Sequence, residues 1–436
     1  MYKVLIRPLN VSDASTSYIW RNDPEVWAFT GSKPDIKITE DIELNWIKKV
    51  INEKSSNRFA ILVNDEYVGN VQLTHITDFD AEFHIFIGNK DFWGKGVAKE
   101  ATYQILTYAK NFLGLSQVFL FVSKLNTAAI KAYAKNAFIV IEDSGEFLKM
   151  MCHLDKLPPP MVSVFCMVYN HEKFISEAIE GFLMQKINFS TLMVIGEDNS
   201  TDNSREIIKK YANLYPGKFK LLLHDKNIGA FRNQELVFEN CTGKYIAMCE
   251  GDDYWTDPLK LQKQVDFLEM NNEYSLSFHS ALEKINGESK EFSNVENRDY
   301  SGTEIYNNWT IPTASVVFKR KFIDNEYFIN LIRNKNFVHT DIVLFIYLSQ
   351  YGKIKGLTDI MSVYRRHIGG STAQKPTLEI SYKFASHYLE IYKIFGKDYN
   401  GQLKKAKDIA LRGILKSMLN FNFLYFKKFS KLLVKV

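Results

Sequence analysis

In the second half of this 436-residue chain, three polar stretches sit directly behind apolar runs and carry its most reactive side chains. They are Tyr169-Asn170, Glu197-Asp198 and Glu250-Gly251-Asp252-Asp253. The last is the densest. Closely spaced carboxylates are hard oxygen ligands, of the kind that Mg2+ or Mn2+ prefers while it holds a diphosphate. An acidic turn can also cap a helix, but Asp257-Pro258 just downstream already has that form, with Asp at the N-cap and Pro at the first helical position. The Glu250–Asp253 group is thereby free to serve metal and nucleotide.

A second candidate lies in the first half. Gly94 and Gly96 precede a helical pattern whose apolar face is Ala98, Ala101, Ile105, Leu106, Ala109 and Phe112, with Gly114 placed as its C-cap. Glycines there let the backbone approach a ligand, and the first amides of a helix favour phosphate. The spacing is not G-x-G-x-x-G and no acidic residue follows at the distance that holds a ribose, which argues against dinucleotide binding.

These groups need elements to position them. VSVFCMV (162–168) is a continuous apolar run with β-branched residues, the pattern of a buried strand, and Ile175, Ala178, Ile179, Phe182 and Leu183 follow at helical spacing. Strands at 192–196, 219–224 and 244–249 and a helix at 205–214 continue the alternation. Such βαβ units predict a mostly parallel sheet with helices on both faces, whose ligands bind outside the carboxyl ends of the strands. All three polar stretches fall there. Pro158, Pro159 and Pro160 favour extended polyproline geometry and mark a domain boundary near 157.

Composition narrows the class. The chain is 46% hydrophobic and 24% charged, which excludes disordered and low-complexity classes. Net charge is +5, yet residues 1–156 hold 18 Lys/Arg against 19 Asp/Glu, and residues 401–436 hold nine Lys/Arg against one Asp. The basicity belongs to the tail, so no nucleic-acid role follows for the whole chain. Cys152, Cys166, Cys241 and Cys249 show no C-x-x-C spacing, which predicts a reduced, intracellular protein with neither a disulfide framework nor a zinc site. MYKVLIRPLN lacks an apolar segment behind basic residues, so no signal peptide is expected, and no apolar run reaches the ~20 residues that span a bilayer.

Across roughly 161–372 the motifs resemble the family-two glycosyltransferases of GT-A fold. SVFCMVYNHEKFISEAIEGFLMQ resembles their opening strand and helix, EDNSTDNSREI their second-strand acidic motif, and NIGAFRNQ and YIAMCEGDDYWTDPLKLQKQVDF the segments leading into and through the metal motif. Glu250 departs from the usual Asp of that D-x-D motif. The resemblance implies that Asp198 contacts the nucleotide base, with Tyr169 beside it, that Glu250 reaches ribose or metal, and that Asp252 holds the metal bridging the diphosphate. Arg232 looks like the donor-site arginine. HTDIVLFIYLSQYGKI resembles the segment of the catalytic base and points to Asp341; SVYRRHIGGST resembles the segment of a metal-ligating histidine, His367, with Arg366 near the diphosphate. The implied reaction inverts the anomeric centre: a carboxylate takes the acceptor's proton while a metal stabilises the leaving nucleoside diphosphate.

Residues 1–150 resemble GNAT-type acetyltransferases, in the branch that acetylates ribosomal-protein N-termini and amino sugars. Trp93-Gly94-Lys95-Gly96-Val97-Ala98 matches the R/Q-x-x-G-x-G/A acetyl-CoA motif, with Trp93 in place of Arg/Gln; IRPLNVSDAS and WRNDPEV resemble the opening, and NTAAIKAYAKNAF (126–138) the second CoA segment. The resemblance implies that the loop around Lys95, through the amides of Gly94, Gly96, Val97 and Ala98, holds the pyrophosphate and that Asn126 holds the CoA arm. Tyr133 matches the tyrosine that protonates the leaving thiolate. The base that strips the ammonium is then Glu82, or else His84, which alternate with Phe83 and share one strand face.

Together these readings predict an α/β protein of two domains, a GNAT-like mixed sheet with helices (1–156) and a Rossmann-like GT-A sheet (157–375), followed by a basic helical extension (376–436). The expected function is bifunctional, in bacterial surface-polysaccharide synthesis: acetyl-CoA-dependent N-acetylation of a nucleotide-linked amino sugar, then metal-dependent transfer of that sugar from UDP or dTDP to a glycan acceptor. The alternative is a glycosyltransferase whose first domain acetylates a protein or glycan amine, or is a silent CoA-binding docking module. Expected cofactors are acetyl-CoA and Mg2+ or Mn2+, and the expected place is the cytoplasm. The tail, with a helix around 411–420 and the end FNFLYFKKFSKLLVKV, reads either as a surface lying on anionic lipid at the inner face of the cell membrane or as a packed helix with solvated lysines.

Overall fold

The computed structural model describes residues 1–29, 35–367 and 377–435. The expected boundary at 375/376 and residues 368–372 of SVYRRHIGGST lie outside the described residues. The chain divides into two compact units, Met1–Asn227 with Asn240–Lys244, and Ile228–Glu239 with Tyr245–Val436.

Among the described residues the first unit begins with seven strands, β1 (Val4–Pro8), β2 (Asn57–Val63), β3 (Glu66–Thr74), β4 (Asp80–Ile87), β5 (Gln117–Ser123), β6 (Ile139–Ser144) and β7 (Phe147–His153), in the order β1-β2-β3-β4-β5-β7-β6. Asn64 and Asp65, with φ of 50° and 71°, close the β2–β3 hairpin in the left-handed geometry that matches strand twist. Every neighbouring pair is antiparallel except β4–β5. These two run parallel and pair only over Asp80–Glu82 with Gln117–Phe119, though both strands continue beyond. The helix Val97–Asn111 packs Val97, Ala101, Ile105, Leu106 and Ala109 into a core with Phe83, Val118 and Leu120. Phe112, expected on that apolar face, lies outside it and stacks on Tyr108 at 5.1 Å, because the regular helix ends at Asn111.

The same unit holds β8 (Val162–Val168), β9 (Thr191–Glu197) and β10 (Phe219–Leu223), parallel and in the order β10-β9-β8, with crossover helices Ile175–Leu183 and Ser204–Leu214. Each lies within a residue or two of its expected place, since continuous apolar runs and a 3.6-residue period specify buried strands and amphipathic helices locally. All four cysteines are buried, and none forms a disulfide.

In the second unit β11 (Tyr245–Met248), β16 (Val317–Lys319), β13 (Tyr274–Ile285), β17 (Lys353–Arg366) and β12 (Tyr254–Trp255) lie side by side in that order, with β14 (Glu288–Glu291) on β13 and β15 (Asp299–Tyr300) on β17. β13 and β17 are parallel, whereas β11–β16, β16–β13 and β12–β17 are antiparallel. The sheet is therefore mixed here rather than mostly parallel. β12 and β16 have two and three residues, too short for any periodic signal. Helices Ala230–Asn240, Lys260–Met270 and Thr340–Ser349 flank the strands, and Leu378–Phe395, Asn400–Leu419 and Phe423–Lys435 end the chain. The Asn400–Leu419 helix is longer than the 411–420 stretch expected.

Candidate functional site

In the second unit the turn from β11 to β12 carries the acidic group, and the Asp253 amide closes it by donating to the Glu250 carbonyl at 3.1 Å. β12 pairs Tyr254 with Val363 of β17, so the strand's end runs on beside the turn. Asp253 Oδ1 accepts the Arg365 amide at 2.8 Å, Arg365 Nη1 donates to the Asp252 carbonyl at 2.7 Å, and His367 Nε2 lies 3.1 Å from Asp252 Oδ2. Asp257, expected to cap the next helix, accepts the Leu259 amide at 2.7 Å, and the regular helix starts at Lys260.

Electrostatics mark this turn as strained in charge. Burial, and after it the charges of Asp252 and Asp341, push the Glu250 carboxyl up to about 8. Asp253 is buried and also raised, by burial first and by Asp252 next. Its Oδ2 is buried without a hydrogen-bond partner. A carboxylate oxygen left so is costly unless something positive or protonated meets it. Among the described residues no three His, Cys, Asp or Glu side chains converge closely enough to hold an ion by themselves. Asp252 and His367 nonetheless form a pair, in which the carboxylate oxygen suits Mg2+ or Mn2+ and the imidazole nitrogen would suit Mn2+ better than Mg2+.

Asp341 opens the helix Thr340–Ser349, where its Oδ2 accepts from Thr313 Oγ1 at 3.3 Å, and its charge is felt by Glu250. Arg232 lies on the helix Ala230–Asn240 and pairs with Glu235 at 2.5 Å; Arg333 holds the same carboxylate. Thr340 Oγ1 donates to Gln234 Oε1 at 2.9 Å, which ties the Arg232 helix to the start of the Asp341 helix. Arg366 turns away, to Glu283 at 2.7 Å. The arginine beside the acidic turn is Arg365, which also stacks over Tyr254 at 4.2 Å and whose guanidinium is lowered to about 10 by burial. The sequence reading missed Arg365. Alternation along β17 sends neighbouring arginines to opposite faces, and only the register of β12 on β17 says which one meets the turn.

In the first unit Tyr169 follows β8 and is half-exposed, and Asp198 follows β9 and is buried, with its amide donating to the Val168 carbonyl at 3.0 Å. Val168 and Glu197 are in register, so Tyr169 and Asp198 sit side by side at the carboxyl ends of parallel strands. Asn170, at φ 58°, braces this edge: its Oδ1 accepts the Thr201 amide at 2.8 Å.

The second site, also in the first unit, is built by the divergence of β4 and β5. Beyond Glu82 and Phe119 the strands no longer pair with each other, though both continue. Gly94 and Gly96, at φ 70° and 81°, lead into the helix at Val97, and a Cβ built on either would meet nothing within 4 Å. Gly94, Lys95 and Gly96 are exposed, so the loop ahead of this helix is open on its outer side. Tyr133, on the helix Thr127–Ala134, packs edge-on against Phe83 of β4 with centroids 5.7 Å apart. Burial pushes its hydroxyl up to about 12, so it keeps its proton at neutral pH. Asn126 caps that helix, its Oδ1 accepting the Ala129 amide at 3.1 Å. On the opposite face of β4, Glu82 Oε2 lies 3.1 Å from His75 Nδ1, and His84 Nε2 lies 3.0 Å from Thr74 Oγ1 and 3.5 Å from Glu82 Oε1. Burial lowers the His84 imidazole against the pull of Glu82, leaving it neutral at pH 7. Glu82 and His84 thus stand together, joined by His75, which the sequence reading did not include.

Residues 3–139 match the family model for the acetyltransferase (GNAT) domain, and residues 163–331 the model for glycosyl transferase family 2. The chain carries a GNAT acetyltransferase domain followed by a family-two glycosyltransferase domain. Among curated relatives, the uncharacterized Rv1520 of Mycobacterium tuberculosis is 35% identical over 212 residues, covering 48% of this chain and 60% of its own length. The chain thus spans 60% of the length of that relative. A Bacillus subtilis protein named for teichuronic acid biosynthesis, TuaG, is 30% identical over 119 residues, 27% of this chain and 46% of that one. Among solved structures, Staphylococcus aureus TarS 1–349 with UDP-GlcNAc is 16% identical over 57% of this chain and 71% of its own, with a TM-score of 0.45. Spermidine N-acetyltransferase of Vibrio cholerae with CoA and spermine is 22% identical over 35% of this chain and 97% of its own, with a TM-score of 0.33. The GNAT domain holds the glycine loop, Tyr133 and Glu82. The glycosyltransferase domain model takes in Tyr169, Asp198, Arg232 and the Glu250–Asp253 turn, while Asp341, Arg365 and His367 follow its end.

Proposed function

We propose that the chain is a bifunctional transferase. In residues 1–156 the GNAT domain moves the acetyl group of acetyl-CoA onto the amine of a nucleotide-linked amino sugar. In residues 157–375 the glycosyltransferase domain passes the acetamido sugar to a glycan acceptor of a surface polysaccharide. In the first step Glu82, or His84, removes a proton from the ammonium; the free amine attacks the thioester carbonyl, the C–S bond breaks, Tyr133 gives a proton to the thiolate, and the proton that the new amide nitrogen sheds replaces it on Tyr133. Backbone amides from Gly94 to Ala98 hold the pyrophosphate.

In the second step Asp341 takes the acceptor hydroxyl's proton, the oxygen attacks the anomeric carbon opposite the leaving group, and the nucleoside diphosphate departs. Asp252 and His367 are the residues to hold Mg2+ or Mn2+, which supplies charge stabilisation to the diphosphate. By the family resemblance, Asp198 and Tyr169 serve the base of UDP or dTDP and Glu250 the ribose, with Arg232 and Arg365 as the cations offered to the diphosphate. The observation that carries this reading is the pairing of Asp252 with His367 beside an orphaned, buried Asp253 oxygen. The basic composition of the extension 376–436 supports work at the cytoplasmic face of the cell membrane, where the acceptor would be lipid-linked.

The test gives the full chain acetyl-CoA, a UDP- or dTDP-linked amino sugar, Mn2+ and a glycan acceptor, and follows free thiol and nucleoside diphosphate separately. Asp252→Asn is expected to cut nucleoside diphosphate release at least about 10²-fold and leave thiol release unchanged. Loss of both activities in a folded variant overturns the two-site assignment. CoA binding without thiol release on any amino sugar would make the first domain a docking module.

A further inference from the structure

The last three helices form a small bundle of their own, in which Ala385, Leu389, Ala406, Ala410, Phe429 and Leu432 share a core. The Asn400–Leu419 helix turns Gln402, Ala406, Ala410, Gly413 and Ser417 inward. Small residues on that stripe let the last helix come close: a Cβ on Gly413 would sit 2.5 Å from the Phe429 ring. The bundle's inner face is therefore already filled by the chain itself.

The opposite face is also apolar. Leu411, Leu415 and Met418 repeat at i, i+4 and i+7 on the exposed side, and Leu419, Phe421, Phe423 and Leu424 carry the patch around the turn into the last helix. Seven large apolar side chains in residues 411–424 stand in solvent, with Leu419 79%, Phe421 83% and Phe423 74% exposed. Isolated exposed leucines are ordinary, but a contiguous patch marks a surface that meets something. The turn holds the patch in place. The Phe421 amide donates to the Met418 carbonyl and the Asn422 amide to the Ser417 carbonyl, a Schellman close in which Phe421 takes φ 51°. That position normally belongs to glycine, and a bulky aromatic held there points outward without an internal packing reason.

Charge selects the occupant. Residues 401–436 carry nine Lys/Arg and one Asp, and Arg412, Lys416, Lys427 and Lys431 lie exposed beside the patch. Two copies meeting through this tip would bring those cations together, whereas an anionic lipid surface pairs with them while the acyl boundary takes the phenylalanines and leucines. Lysine stems can lie along the apolar surface with their ammonium groups at the headgroups. No helix among the described residues is long and apolar enough to cross a membrane, so the contact lies on the bilayer.

We propose that the turn around Phe421, with the Leu411–Met418 stripe and its flanking lysines, is a membrane-inserting tip that seats this chain on anionic lipid. The inference rests on the membrane-face placement proposed above and is independent of which sugar or acyl acceptor is used.

The experiment is flotation of the full chain with phosphatidylcholine vesicles, with and without 30% phosphatidylglycerol, at low and high salt, alongside sedimentation without lipid. The chain is expected to float with the anionic vesicles and to lose most of that binding in the neutral ones. Phe421→Glu with Phe423→Glu should lower the bound fraction at least tenfold, as should Lys427→Glu with Lys431→Glu, while thiol release and nucleoside diphosphate release with soluble substrates stay unchanged. Binding that survives both double variants overturns the proposal. So does a wild-type dimer that ignores vesicles and becomes monomeric on Phe421→Glu with Phe423→Glu, which would make the tip an interface between copies. Loss of floating with both activities intact separates this surface from the two transfer sites.

Discussion

Lys260 shows how one buried residue can report on its surroundings. It is fully buried, donates to Gln264 Oε1 at 2.8 Å and lies 4.3 Å over the Trp255 ring, and burial pulls its ammonium down to about 7. In the unfolded chain a lysine titrates near 10.4, so between pH 7 and about 10 the unfolded state holds a proton that the folded state lacks. Stability from this residue therefore rises with pH across that window, and its penalty is fully present below pH 7. Relative to Lys260→Met, the wild type should gain up to about 1.4 kcal/mol per pH unit between pH 7 and 10, read as the difference of two unfolding curves at each pH. A pH-independent difference would mean the lysine stays charged when folded. Tyr133 gives the kinetic counterpart. Tyr133→Phe keeps the ring against Phe83 and removes the proton donor, so kcat for acetylation should fall by about 10²-fold or more with the Kd for CoA in place. An unchanged kcat would assign the acid to another group.

Among the elements, the C-terminal bundle depends on one close approach. The Asn400–Leu419 helix meets Phe429 across Gly413, with no room for even a Cβ. Gly413→Leu should push the last two helices apart at a cost of about 1–3 kcal/mol. Because the bundle core is small and its own, the loss should appear as local opening, with faster amide exchange and proteolysis across 400–435 while the first unit melts unchanged. A variant as protected as the wild type would show that the helices repack without the close contact. The β4–β5 divergence works in the opposite sense. There the elements hold each other apart: β5 leaves β4 after three paired residues and continues against β7 along its whole length, Gln117–Ser123 with Phe147–His153.

At the scale of the whole molecule, the two proposed transfers on one chain would raise the local concentration of one product at the other site, and the order of events can be read from donor preference. A free sugar amine is largely cationic at pH 7, and burying it unpaired costs several kcal/mol. An acetamide brings a methyl to bury, with one donor and one acceptor to satisfy. If acetylation comes first, the full chain without acetyl-CoA should transfer the acetylated donor with kcat/KM about 10²-fold or more above the amine donor. A ratio near one, or one favouring the amine, would put acetylation after transfer and make the glycan its substrate.

Composition, period and strand-end polarity alone determined the mixed α/β class, the parallel strands β8, β9 and β10, the helix behind Gly96 and the acidic turn at Glu250–Asp253. These are local: a doubly covered strand must be apolar along its length, and a left-handed residue ahead of a helix is most easily glycine. The antiparallel β12 and β16 left no periodic trace, being only two and three residues long. The choice of Arg365 over Arg366 beside the turn required the register of Tyr254 on Val363. The place where β4 and β5 part is a property of neither strand, since each reads as an ordinary strand beyond its last paired residue. The tail illustrates the same division. Its charge and apolar content are plain in the residues, but which leucines are buried depends on which face the small stripe from Gln402 to Ser417 offers to Phe429. Tertiary structure decided these points because each depends on contacts between residues far apart in the chain, and hydrophobicity assigns a side chain to an interface without saying which one.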